Sequence, residues 1–234
     1  MKKLMSLMAL AMIASVVAAS AQQEVLSANA VGYVKVKVDP DAYLPIVYPF
    51  DILGSQVTEG VKFTETQIAD ELPLGSMVYF WSGEGWVSSP KNKALKRWTG
   101  LASTKVLADG EMFFVQPAPD ATLTEYTLAG EVPAAPKTLR AIDSSDPEIY
   151  NAVGFAYPTE ALFTNTTIAI DAPLGSTVYF WADGGWVSSP KNKALKRWTG
   201  LASTKVLSPG EGFFIKFAEP GITAWEQDKP YSWP

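Results

Sequence analysis

Residues 73–114 recur at 173–214 with a constant offset of one hundred, and 35 of the 42 positions are identical. Gly85–Leu107 repeats without a change. A chain with this much self-similarity folds as two related modules, each of which needs its own core. The seven differences are Met77/Thr177, Ser82/Ala182, Gly83/Asp183, Glu84/Gly184, Ala108/Ser208, Asp109/Pro209 and Met112/Gly212. A fainter echo, Asn29-Ala-Val-Gly-Tyr33 against Asn151-Ala-Val-Gly-Phe155, suggests related entry strands at an offset of 122. Between Pro49 and Pro73 lie 23 residues, and between Pro158 and Pro173 only 14, so the first copy is expected to carry a nine-residue loop insertion around Ser55–Phe63. High identity between copies is also what recent duplication leaves behind.

Lys2 and Lys3 precede an apolar run from Leu4 to Ala19, and Ala19-Ser20-Ala21 offers the small residues of a leader cleavage site. A signal peptide over residues 1–21 is expected, with no transmembrane segment after its cleavage and a secreted location, in the periplasm, at the outer surface or outside the cell. The expected organisation is a first β repeat over 22–132, a Pro/Ala-rich linker over 133–147 with the boundary near residue 140, and a second β repeat over 148–234.

Val34-Lys-Val-Lys-Val38 alternates at period two and predicts a strand with three valines on one face and Lys35 and Lys37 on the other. Strands are also predicted over 44–48, 77–81, 85–88, 94–98, 112–116 and 123–128, and in the second copy over 152–157, 177–181, 185–188, 194–198, 212–217 and 223–226. Glycine-rich turns at Ser82–Gly85 and Ala182–Gly185 predict hairpins, and Thr64–Leu72 and Thr164–Ala172 each allow one threonine-capped helical turn. The fold class is all-β, two homologous antiparallel modules of sandwich or barrel type with little helix. In Val78-Tyr-Phe-Trp81 every side chain is apolar or aromatic, which fits a strand buried on both sides, with Tyr79, Trp81 and Trp86 and their copies in the packing.

Gly32-Tyr33-Val34, Val78-Tyr-Phe-Trp81 and Leu207-Ser-Pro-Gly-Glu-Gly-Phe-Phe-Ile215 together resemble an uncharacterised family of secreted two-repeat β proteins from environmental bacteria. The resemblance implies export and β structure and implies no activity. The first copy departs from that pattern at Ala108-Asp109 and at Met112.

The chain has no histidine and no cysteine. A Ser/His/Asp triad, a cysteine nucleophile, a Cys/His zinc site and disulfides are therefore excluded. No glycine loop of phosphate-cradling type opens a helix, and Asp39-Pro-Asp41 and Asp143-Ser-Ser-Asp146 read as turns, so no cofactor and no metal is expected. A carboxylate-dependent glycoside-active enzyme is the least favoured reading, with Glu111 and Glu211 the only acids placed alike in both copies.

Charge is segregated. Each of Ser88–Leu107 and Ser188–Leu207 carries five cations and no acid, whereas the rest of the mature chain has 7 basic against 24 acidic residues. The candidate ligand-binding residues are Lys91, Lys93, Lys96, Arg97 and Trp98, with Lys191, Lys193, Lys196, Arg197 and Trp198. Cations grip carboxylate or sulfate, and an indole face stacks on a sugar ring. The same residues also fit a solvated loop beside a strand whose tryptophan faces the core. The reading is an exported, non-catalytic binding or assembly module of the envelope or extracellular matrix. Its partner is an anionic polysaccharide or the acidic surface of another copy, or it is a self-assembling surface protein with no small ligand. Nucleic acid fits less well, because the body of the protein is acidic.

Overall fold

The computed structural model describes residues 30–51, 60–83, 85–134, 136–139 and 142–231, and the expected signal peptide lies outside them. In the first module, strands are β1 (Val31–Lys37), β2 (Leu44–Ile46), β3 (Val61–Lys62), β4 (Met77–Trp81), β5 (Trp86–Asn92), β6 (Arg97–Trp98), β7 (Val106–Leu107), β8 (Phe113–Gln116) and β9 (Glu125–Glu131). One short helix, α1 (Gln67–Glu71), follows a 3-10 turn at Phe63–Glu65. The second module has β10 (Lys137–Leu139), β11 (Asn151–Gly154), β12 (Ala161–Leu162), β13 (Thr177–Ala182), β14 (Gly185–Asn192), β15 (Arg197–Trp198), β16 (Val206–Leu207), β17 (Gly212–Lys216), β18 (Trp225–Gln227) and α2 (Thr167–Asp171).

Each module is built on a five-stranded antiparallel sheet, ordered β2-β8-β4-β5-β6 in the first and β11-β17-β13-β14-β15 in the second, so the all-β, two-module reading holds. Val78 and Phe80 on β4 point into the module's own core, where Phe63 meets the rings of Phe80, Trp98 and Phe113 edge-on at 5.6, 5.0 and 5.8 Å. Phe163 repeats the arrangement with Phe180, Trp198 and Phe213 at 5.1, 5.1 and 5.6 Å. Thr66 caps α1, its hydroxyl accepting from the Ala69 amide at 3.4 Å, which orders a helix too short to persist alone.

Register corrects the proposed entry strands. Lys35 lies opposite Thr127, and Lys137 opposite Gln227, so β10 is the counterpart of β1. Asn151–Gly154 pairs with β17 as Leu44–Ile46 pairs with β8 and is therefore the counterpart of β2. The echo of Asn29–Tyr33 in Asn151–Phe155 joins two strands of different position. The segment expected to be linker, 133–147, contains β10, so the second module begins inside it. The offset between copies falls from 107 at Ile46/Val153 to 100 at Val61/Ala161, giving seven extra residues rather than nine. Most of these fall in 52–59, outside the described residues. The strand predicted over 94–98 shrinks to Arg97–Trp98 because the Asn92 side chain captures the amides of Ala94 and Leu95, both at 2.9 Å, and Lys96 turns with φ 53°.

The second face of each sheet is apolar as well, and the two faces cover one another. Trp81 and Trp86 meet Phe214 at 5.4 and 5.9 Å; Trp181 and Trp186 meet Phe114 at 5.5 and 6.0 Å. Backbone bonds join the modules in exchangeable pairs: the Val47 amide donates to Gly210 O at 2.9 Å and the Gly154 amide to Gly110 O at 3.0 Å. The seam thus has approximate twofold symmetry. It breaks that symmetry where Met112, fully buried, meets its own counterpart Gly212. A Cβ on Gly212 would sit 2.5 Å from Met112 Cγ, so only glycine fits there while methionine stands opposite.

Met112→Gly should therefore cost about 2–5 kcal/mol by leaving a cavity, and Gly212→Met about 3 kcal/mol or more by overlap. The double exchange should recover most of the loss, because the near-twofold lets methionine enter from the other side. Urea midpoints of the three variants check this, and a double variant no more stable than Gly212→Met alone would contradict it.

Candidate functional site

The ten residues singled out by charge and composition divide into two sets. Trp98 and Trp198 are 6 % and 4 % exposed, and their indole N–H groups donate to Ala69 O and Ala169 O at 2.9 and 2.8 Å. Neither indole is open to a ligand, which corrects their place in the candidate site. Burial wins because each ring completes the phenylalanine cluster while the end of the short helix satisfies its N–H.

Lys91 belongs with them. Its ammonium donates to the carbonyls of Ala69, Asp70 and Leu72 at 2.8, 3.0 and 2.8 Å; Lys191 donates to those of Ala169, Ile170 and Ala172 at 3.0, 2.8 and 2.7 Å. These are the carbonyls at the helix C-termini, which no amide of the helix can reach. Burial pulls both ammonium groups below their ordinary pKa, with the charges of Asp70 and Asp171 opposing. These two lysines are structural.

The fifth cation of each block is also internal to the fold. Lys105 pairs with Glu111 at 2.5 Å and Lys205 with Glu211 at 2.6 Å. The other oxygen of each carboxylate accepts from an amide three residues upstream, Ala108 or Ser208, at 3.0 Å. The two acids that resembled a carboxylate pair thus close a turn and hold a lysine.

Lys93, Lys96 and Arg97, with Lys193, Lys196 and Arg197, remain on the surface. They ring the loop between β5 and β6 and its copy between β14 and β15, each with a leucine, Leu95 or Leu195, that is 56 % exposed. The loop is stiffened by Asn92 and by the left-handed turn at Lys96, features repeated at Asn192 and Lys196. Lys93 has one exposed contact, with Asp120 at 3.4 Å; Lys96, Arg97 and their copies form no ion pair among the described residues. Because β6 and β15 are the edge strands farthest in sheet order from β2 and β11, each tip stands on the sheet edge opposite its seam strand. No group of His, Cys, Asp or Glu with metal-holding geometry occurs among the described residues.

Sequence reasoning missed a cleft of about 380 Å3 at the seam, bordered by Lys35 and Lys37 from β1 and by Trp181 from β13. The alternation of β1 was visible, but its partner across the seam was not.

Comparison with family models, with curated proteins and with solved structures finds no match to this chain.

Lys91→Met should destabilise the protein by about 1–3 kcal/mol by leaving the Asp70 and Leu72 carbonyls without their donor, whereas Lys96→Ser should stay within about 0.5 kcal/mol. Chemical denaturation of both variants checks the division. Equal effects would contradict it.

Proposed function

We propose that this protein is an exported, non-catalytic module that binds acidic polysaccharide through its two basic tips and links one polymer chain to another. The observation that carries the reading is that, among the described residues, the cations with no ion pair or with one exposed contact only are concentrated on two stiff, identical loops, Lys93–Arg97 and Lys193–Arg197, one at the outer edge of each sheet. Two equivalent sites on one chain can each hold a different stretch of polymer, which is what cross-linking requires. Lysine ammonium groups and an arginine guanidinium supply attraction for carboxylate or sulfate groups at some reach, and the exposed leucine supplies apolar contact. The expected leader and the resemblance to secreted two-repeat β proteins support an extracytoplasmic setting.

Self-assembly, tip against the acidic body of another copy, draws on the same charges. It differs by needing no polymer.

Mixed with polygalacturonate at low salt, the mature chain should form light-scattering networks that dissolve at high salt, where the screening length falls to about 3 Å at 1 M. Changing Lys93, Lys96 and Arg97 to serine in one module should keep binding and abolish the networks; changing both tips should abolish the networks and the salt-sensitive binding of internal stretches of the polymer. Networks that survive the double change would contradict the proposal. Concentration-dependent sedimentation without polymer would favour self-assembly instead.

A further inference from the structure

The cleft at the seam has chemistry of its own. Lys35 and Lys37, two residues apart on β1, fall on one strand face and border it together. Pro45 and Ile46 from β2, Trp181 from β13 and Pro209 supply apolar wall. Lys205 and Glu211 also border it but neutralise one another at 2.6 Å. The charge offered to a ligand is therefore that of Lys35 and Lys37. Lys37 has no ion pair among the described residues, and Lys35 has only a 3.5 Å contact with Glu125 in which both groups are exposed.

Trp181 is braced edge-on by Phe114 at 5.5 Å and Trp186 at 5.1 Å, so its ring is held in place before any ligand arrives. Its indole N–H donates to no group among the described residues. No buried polar atom there lacks a partner, so this N–H reaches solvent.

The duplicated fold contains a second place of the same kind, and it is shut. Lys137 holds on β10 the position of Lys35 on β1, yet its side chain is 10 % exposed where that of Lys35 is 60 %. Its ammonium lies between the carboxylates of Asp51 and Asp109, the latter at 2.7 Å. The space left beside it is about 10 Å3. Position 109/209 is one of the seven differences between the copies: Asp109, together with Asp51, draws the lysine in, whereas proline at 209 has no carboxylate to do so. One cleft is thereby closed by the protein's own ion pairs, and the other is left open, with Lys35 in a single exposed contact with Glu125 and Lys37 in no ion pair among the described residues.

We propose that the open cleft is a single-copy binding site for an acidic saccharide, with the sugar carboxylate at Lys35 and Lys37 and the ring against Trp181. A volume of about 380 Å3 lies at the small end of the ~300–1,000 Å3 range of small-molecule sites. That scale suits a short saccharide or the end of a chain. Paired ammonium groups match a carboxylate, and indole and proline surfaces match the C–H face of a pyranose. The site is independent of the two tips.

Calorimetric titration of the mature chain with D-galacturonate, α-1,4-linked trigalacturonate and neutral D-galactose tests it. With serine at Lys93, Lys96, Arg97 and their copies, so that only the cleft is left to bind, the expected result is one saturable site per chain for the acidic sugar, with no binding of galactose. Monomer binding would assign the cleft to free sugar, and binding of the trimer alone would assign it to a chain end; either supports the proposal. Lys35→Ser with Lys37→Ser, both on the surface, should weaken binding about tenfold or more. Pro209→Asp should abolish it by drawing Lys35 inward. Absence of saturable binding, two sites per chain, equal affinity for galactose, or indifference to the Lys35/Lys37 change would overturn the proposal.

Discussion

The contact on which the rest of the structure depends is the aromatic seam between the two sheets. A strand such as β4, with Val78 and Phe80 on one face and Tyr79 and Trp81 on the other, cannot leave either face to water. Its own module covers the first face. The second is covered by the equivalent face of the other module, through Trp81, Trp86 and Phe114 against Trp181, Trp186 and Phe214. Duplication thus supplies each sheet with its missing layer, and the pair behaves as an internal dimer.

A symmetric seam of identical copies would set Met112 against a second methionine, or glycine against glycine, and produce either overlap or a void. The sequence resolves this with one of each. Three of the seven differences, at 108/208, 109/209 and 112/212, lie at or beside this contact. Divergence there does physical work: it packs the axis, shuts one cleft with Lys137 and leaves the other open. The unchanged stretch Gly85–Leu107 includes both the helix-end clamp of Lys91 and Trp98 and the exposed tip at Leu95–Arg97.

Much of the fold was legible in the residues. Period-two alternation located Val34–Val38, and the continuous apolar run Met77–Trp81 announced a strand covered on both sides; glycine turns located the hairpins. What local pattern could not convey was topology. Asn151–Gly154 looks like a copy of the Asn29–Tyr33 segment because both read Asn-Ala-Val-Gly, yet register makes it the partner of Leu44–Ile46. Charge was equally ambiguous: Lys91 and Lys96 are indistinguishable as letters, but one reaches helix-end carbonyls and the other faces water. The Lys35–Trp181 cleft joins residues 146 positions apart and exists only through the seam.

Because the seam supplies one layer of each module, neither should unfold without the other. Differential scanning calorimetry of residues 22–234 tests this most directly. The account predicts a single transition whose van't Hoff and calorimetric enthalpies agree; two separable transitions, one for each module, would contradict it.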